Sequence, residues 1–364
     1  MYGFEPNEEQ QMLIDVVRRY AEKDMRDAHR DAEEEGEVPK ALIEKGWELG
    51  ILQASVPADY GGFGERSAVT SVLAAEELAF GDLAIALAVM APGLFALPIL
   101  LVGSEEQKKN YLPGIVEGEW QPCTAALIEY EFDFDANELS TTAKEEGDEY
   151  VLSGEKRYVP YAADAEAMII YANLDGVTQG FIVEKSTDGL TVGERDMTLG
   201  VHALPLYGLH LDNVRVPKAN RLGGAEGHDF IHILNSMRVA NAALSVGLAR
   251  ASYEYANEYA KDREVLGSMI AQKQSIAFMI AENGTEIEAN RLLTWEAAWQ
   301  LDEGIEEVDK SAYLAEVGAA DMVMQVTDSG VQILGGHGYI REHPVELWMR
   351  NGRSMAMLTG LAMV

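Results

Sequence analysis

The residues of this chain that could do chemistry are few, and most carry an ordinary alternative reading. Glu129, Glu131 and Asp133 lie close together and could exchange a proton with a substrate. With 61 acidic residues in the chain, such acids are more often solvated surface groups. Gln332 is followed by Gly335, Gly336, Gly338 and Tyr339, and a short glycine tract alone reads as a helix-to-loop turn. Arg263 stands between Asp262 and Glu264 and by itself reads as a paired surface charge. Arg238 reads as readily as a core salt bridge as a ligand contact. The single cysteine, Cys123, excludes an intrachain disulfide and a thiolate metal cluster. Its solitude points to a reducing, cytoplasmic location.

The 364 residues are enough for two or three domains with substantial cores. A hydrophobic share of 48% and a charged share of 24% are those of a globular protein. The formal net charge of -33 argues against nucleic acid, which is gripped by clustered Lys and Arg, and against anionic membranes. An acidic, solvated surface is the simple reading, and a salt-rich habitat is compatible with it. The apolar stretch from Leu83 to Val102 is broken by Pro92, Gly93 and Pro98, so it reads as buried helix and turn and no membrane span is expected. The first residues lack a basic region followed by an apolar one, so no secretory signal is expected.

Three textures position these residues. Residues 1–120 read as helical. Asn7 caps a first helix carrying Met12, Leu13, Val16, Val17 and Tyr20. A second starts at Val38-Pro39 and ends at Gly50, and a third runs from about Ser67 to Ala79. Residues 121–222 carry short apolar or alternating runs: Tyr150–Gly154, Ala167–Ala172, Gly180–Glu184 and Leu209–Pro217. Turns at Gly147, Gly176 and Gly189 separate them, which predicts a barrel or sandwich of strands. Residues 223–364 return to helical period over Ala240–Tyr259, Gln274–Leu301 and Val308–Leu334, which predicts a bundle.

Several landmarks in this order resemble the acyl-CoA dehydrogenases. Phe4-Glu-Pro-Asn-Glu-Glu-Gln10 is similar to the family's first helix start, and Pro57-Ala-Asp-Tyr-Gly-Gly62 to its early Pro-x-x-x-Gly-Gly turn. Gly103-Ser-Glu-Glu-Gln-Lys108 and Tyr111-Leu-Pro113 resemble the end of its first domain. Leu152–Lys156 resembles a barrel strand, and Val214–Pro217 the barrel exit. Arg263, Gly267, Ile270 and Gln274 fit an Arg-x-x-Phe-Gly-x-x-Ile-x-x-x-Gln pattern, with Leu266 in place of Phe. The resemblance covers nearly the whole chain. It implies an α+β multidomain fold: an N-terminal helical domain, a central antiparallel β-barrel and a C-terminal four-helix bundle.

The resemblance also implies a chemistry. A base takes the α-proton of an acyl-CoA thioester, FAD accepts a hydride from the β-carbon, and hydrogen bonds steady the enolate-like carbonyl. In the family one subunit's barrel holds the flavin ring, and a neighbour's bundle holds the ADP end. On the ADP side it implies that Arg263, Gln274, Gln332, Gly335 and Gly336 contact the cofactor. On the ring side the family's Thr-Glu-Pro-x-Ala-Gly-Ser-Asp appears as Ile128–Asp135, with Ile128 replacing a hydroxyl and Phe132 and Phe134 adding bulk. Lys-x-Trp-Ile-Thr-Asn-Gly appears as Lys156–Ala162: Tyr158 could lie against a ring, but Pro160 removes a hydroxyl. The two positions at which the family carries its glutamate base hold Thr359 and Met237, and Asn235 and Arg238 remain as contacts for a CoA-type substrate.

The expectation that follows is a subunit of a hetero-oligomeric, FAD-dependent acyl-CoA dehydrogenase. Its own site is degenerate, and it completes the FAD site of a paralogous partner. Resemblance also implies a tetramer, an acyl-CoA substrate from fatty acid or steroid side-chain degradation, and an electron-transfer flavoprotein as redox partner. Two alternatives stand beside it. One is an active homotetramer whose base is displaced to Glu129, Glu131 or Asp133. The other keeps the fold without thioester oxidation, as a flavin mono-oxygenase-like or non-enzymatic protein.

Overall fold

The computed structural model describes residues 5–364, so Phe4 of the opening motif lies outside the described residues. Helix α1 (Glu8–Tyr20) starts because the Asn7 side chain accepts from the Gln10 N–H while the Gln10 amide oxygen accepts from the Asn7 N–H. It buries Ile14, Val17 and Tyr20. The chain continues through a wide turn (Ala21–Met25) into α2 (Arg26–Glu35), which Gly36 closes in the left-handed conformation at φ 74°. The periodicity of the sequence did not separate α2. Helix α3 (Lys40–Trp47) follows Pro39, and Gly50 at φ 72° turns the chain into the short α4 (Ile51–Ala54).

The loop after α4 contains the Gly61-Gly62 turn. A Cβ on Gly62 would lie 1.9 Å from the Val56 carbonyl oxygen, so this turn admits glycine only. Helices α5 (Ala68–Gly81), α6 (Leu83–Met90) and α7 (Gly93–Val102) are apolar nearly all round and lie inside the protein. Ser67 and Asp82 cap the first two. Helix α8 (Glu105–Val116) completes this region behind a Ser104–Gln107 capping box. Helices α6 and α7 bend by 48° at their break, and no single helix among the described residues is long and apolar enough to cross a membrane.

The central region is one curled sheet of β1 (Thr124–Ala126), β2 (Thr142–Glu146), β3 (Glu149–Pro160), β4 (Ala167–Leu174), β5 (Val177–Glu184), β6 (Leu190–Arg195) and β7 (Leu206–Pro217). The order is β1-β4-β2-β3-β7-β6, with β5 on the other edge of β4. The β2–β3, β3–β7, β4–β5 and β6–β7 pairs are antiparallel. Strand β4 runs parallel to both β1 and β2, so the expected antiparallel barrel is a mixed, curled half-barrel. The register of β3 against β7 shifts between Lys156 and Val159, where Tyr158 takes φ 54°. A bulge of this kind re-aims one side chain, here Tyr158.

The helices then resume with α9 (Ile231–Asp262), a two-residue hairpin of β8 (Glu264–Val265) and β9 (Ser268–Met269), α10 (Gln274–Asp302), α11 (Val308–Leu334) and α12 (Val345–Ser354). Helices α9, α10 and α11 are long, and α12 is the short fourth member. One apolar cluster runs from α5 and α6 through α9 and α11, and it also takes in Ile128, Tyr161 and Leu206 of the sheet region. The three regions therefore share a core instead of standing apart.

Candidate functional site

The C-terminal end of α9 and the end of α11 are brought together by one residue. The Tyr259 carbonyl oxygen accepts the Arg263 N–H at 2.9 Å, and the Tyr259 hydroxyl meets His337 Nδ1 at 2.7 Å. Arg263 is exposed, and its guanidinium has no ion pair or side-chain hydrogen bond among the described residues. The paired-charge reading of Arg263 therefore fails, since neither Asp262 nor Glu264 holds it. Gln274, the first residue of α10, and Gln332, in the last turn of α11, are also exposed, with unpartnered side-chain amides. Gly335 ends α11 at φ 58° and ψ -127°, a conformation open to glycine alone. No atom lies within 4 Å of where a Cβ on Gly335 or Gly336 would stand. An unpaired cation, free amides and bare backbone suit the phosphates and sugar of a dinucleotide.

The ring side is different. Lys156 is fully buried; its ammonium donates to Glu129 Oε1 at 2.7 Å and to the Leu127 carbonyl at 3.1 Å. The other contacts of Glu129 come from the Ser140 and Thr141 N–H groups at 2.6 and 2.9 Å. Burial pushes Lys156 down to about 8 against the pull of Glu129. Burial acts upward on Glu129, yet Lys156 and Thr141 together hold its carboxyl below the usual range. Glu129 is a structural counter-ion and not a free base. Glu131 and Asp133 lie exposed on the loop beyond it.

Phe132 is fully exposed and does not fill the ring site, contrary to what its bulk suggests from sequence. Phe134 is half-buried against the core. The aromatic that reaches the sheet is Tyr130, which no motif in the sequence singles out. Arg157 lies over both the Tyr130 and Tyr158 rings, at 5.0 and 4.7 Å from their centroids. A cavity of about 260 Å³ adjoins Arg157 and Tyr158, lined also by Asp196, Met197, Met357 and Leu358. Behind it Ile128, Tyr161, Leu206 and Leu358 belong to the continuous apolar core.

The positions of the expected base are both occupied by non-basic side chains. Met237 is buried in apolar packing with Leu234 and Met363. The Thr359 hydroxyl donates to Glu316 Oε1 at 2.5 Å. Glu316, on α11, also accepts from Asn241 at 3.3 Å and lies 3.4 Å from Arg238 Nε. Arg238 further lies over the Tyr313 ring. Asn235 is buried and donates to Asp309 at 2.7 Å. The two residues expected to meet substrate are thus engaged by acids of α11. Sequence gave no signal for Glu316, because it becomes notable only once α11 lies against α9 and residue 359.

Comparison with known proteins shows the family to which this fold belongs. The family descriptions for the acyl-CoA dehydrogenase N-terminal, middle and C-terminal domains match residues 7–119, 125–214 and 228–362. An acyl-CoA dehydrogenase of Bacillus subtilis is 35% identical over 364 residues, covering 97% of this chain and 94% of its own. The caffeyl-CoA reductase–Etf complex subunit CarC of Acetobacterium woodii is 32% identical, covering 98% of this chain and 96% of its own. The structure of butyryl-CoA dehydrogenase from Megasphaera elsdenii superposes with a TM-score of 0.89 at 31% identity, covering 99% of this chain and 96% of that one. Spanning all three regions in order, the chain belongs to the acyl-CoA dehydrogenase family of FAD-dependent oxidoreductases acting on CH–CH bonds.

Proposed function

We propose that this chain is a subunit of an FAD-dependent acyl-CoA dehydrogenase assembly that holds the ADP end of a neighbour's FAD while its own thioester site is not competent. The observation that carries the reading is the contrast between its two halves. Arg263, Gln274, Gln332, Gly335 and Gly336 are exposed and unengaged. Thr359, Arg238 and Asn235 are engaged within the chain. The residues of the nucleotide half fit FAD; there Arg263 would meet the pyrophosphate, and the glycine backbone would lie along the cofactor. The ring half fits it poorly, because Ile128 is packed in the core and Pro160 offers no hydroxyl. When bound, FAD supplies the hydride acceptor that no side chain can provide. The chain's own part is to bind and orient.

A paralogous subunit with an intact glutamate base is the partner this reading requires. An acyl-CoA is the substrate, and an electron-transfer flavoprotein is the acceptor, in keeping with the Etf complex named for the Acetobacterium relative. The test is to purify the chain alone and together with such a paralogue. The expected result is little flavin and no thioester oxidation from the chain alone, and both from the mixture. A yellow, active homo-oligomer of this chain would overturn the reading.

One observation favours a second reading. Glu316 is a carboxylate at hydrogen-bond distance from the residue that stands at the family's base position. If the chain is active alone, Glu316 and not Glu129, Glu131 or Asp133 is its base. Glu316→Gln then abolishes thioester α-proton exchange with solvent deuterium, whereas the other three substitutions leave it intact.

A further inference from the structure

We propose that the outer side of α10 and α11 is the docking surface for a subunit with a basic border, and that its acids turn away a second copy of this chain. This rests on the reading of the chain as one member of a heteromeric assembly. A helix on the surface of a folded domain needs one apolar stripe, the one it buries. Helices α10 and α11 carry a second. Inward, α10 buries Ile287 and Thr294, and α11 buries Ala315 and Val326. Outward, Phe278, Leu292 and Leu293 of α10 and Leu314 and Val317 of α11 leave 40% to 57% of their surface bare. Packed together and joined by the short connection 303–307, the two helices run antiparallel. A Cβ on Gly318 would lie 2.6 Å from Asn290 Oδ1, so they approach closely there. That register brings Leu293 level with Leu314, and the outer stripes form one strip. The strip starts one turn beyond Gln274, and Leu266, 93% exposed, projects from the hairpin between Arg263 and Gln274. It is continuous with the face assigned to a neighbour's FAD, where a neighbour must come close.

The border of the strip is acidic. Glu282, Glu286 and Glu296 of α10 and Asp321 and Asp328 of α11 are exposed and have no ion pair among the described residues. Each helix holds a single basic residue. Arg291 is engaged by Glu76 and Glu288, and Lys310 stands at the start of α11. Exposed acids of the sheet differ: Glu145 pairs with Lys218, and Glu146 and Glu149 pair with Arg215. A symmetric contact between identical chains sets one surface against itself. Two copies of this chain meeting here would crowd unpaired carboxylates around the apolar strip, and like charges facing each other across an interface oppose it. A partner with an apolar strip bordered by Lys and Arg gains both the burial and the pairing. The chemistry of this surface therefore selects a paralogous subunit of opposite border charge.

The test mixes the full-length chain with its own variant E282K/E286K/E296K/D321K/D328K, which keeps the apolar strip and reverses its border. Sedimentation equilibrium without flavin, at about 0.1 M salt, should give a mixed dimer bound on the order of a hundredfold more tightly than either chain binds itself. At about 1 M salt, where the screening length falls to about 3 Å, that preference should shrink on the order of tenfold. L293S/L314S in both chains should remove the mixed dimer and leave the helical circular dichroism unchanged. No preference for the mixed dimer, a preference that salt does not reduce, or a mixed dimer that survives L293S/L314S overturns the proposal. Because flavin is absent from this measurement, the cofactor reading is decided separately. A clear preference here, with no flavin retained by the assembly with a paralogue, leaves the docking surface standing and removes the nucleotide assignment.

Discussion

Single residues decide what this site can do. Lys156 and Glu129 look in the sequence like parts of two separate motifs, yet they form one buried pair. Lys156→Met leaves Glu129 charged and unpaired and should cost about 3–5 kcal/mol in urea unfolding. The double variant Lys156→Met with Glu129→Gln should regain much of that loss, because the amide oxygen still accepts from Thr141. Additive losses would show that the pair is not coupled. Arg263 behaves in the opposite way. Without partners in the chain, Arg263→Ala should leave the melting temperature unchanged and weaken FAD binding by the assembly by roughly 1.5–3 kcal/mol, the range of a hydrogen bond to a charged group. Fluorescence titration of FAD into the apo-assembly measures this, and an unchanged affinity removes Arg263 from the cofactor grip.

At the scale of elements, helix ends carry the argument. Asp82 caps α6 by accepting from the Ile85 N–H at 3.0 Å, and burial pushes its carboxyl up to about 6. Its unfolded value lies near 3.9, so the folded chain binds more protons between about pH 4 and 6. Through this group stability rises as pH falls from 6 toward 4 and is at its lowest above 6. Asp82→Asn keeps the cap without the buried charge. It should exceed the natural chain in unfolding free energy by roughly 2–3 kcal/mol at pH 7, with the difference shrinking toward pH 4. A difference that does not vary with pH would contradict this. At the end of α11, a Cβ on Gly338 would lie 2.4 Å from the Val331 carbonyl oxygen. Gly338→Ala should therefore displace the tract, with a loss of about 1–3 kcal/mol in thermal unfolding and a parallel loss of nucleotide affinity.

For the whole molecule, the continuous core joining α5, α9 and the sheet region means that neither half of the site moves independently. A subunit built this way should unfold with its helical regions as one unit. A partner's FAD should raise its transition by mass action: roughly 2.7 kcal/mol at a hundredfold excess over the dissociation constant. Scanning calorimetry of the mixed assembly with and without FAD measures that shift. If the gain appears equally for this chain alone, the cofactor needs no paralogous partner, and the heteromeric reading fails.

The sequence determined the helix–sheet–helix order, because the period of hydrophobicity changes from 3.6 to 2 and back. The Asn7 cap and the tight Gly61-Gly62 turn were equally legible, since local chemistry dictates them. The helix α2 and the parallel pairings of β4 were not, for one hides in an unbroken helical period and the others depend on contacts between distant strands. The site followed the same division. The residue types at 128, 160, 237 and 359 already differ from the hydroxyls and carboxylates that the resemblance implies there. Only the tertiary structure decided that Phe132 turns to solvent, that Lys156 neutralises Glu129, that Glu316 reaches Thr359 and Arg238, and that Tyr259 ties Arg263 to the glycine tract. The last three join residues far apart in the chain, which become neighbours only when the shared core closes.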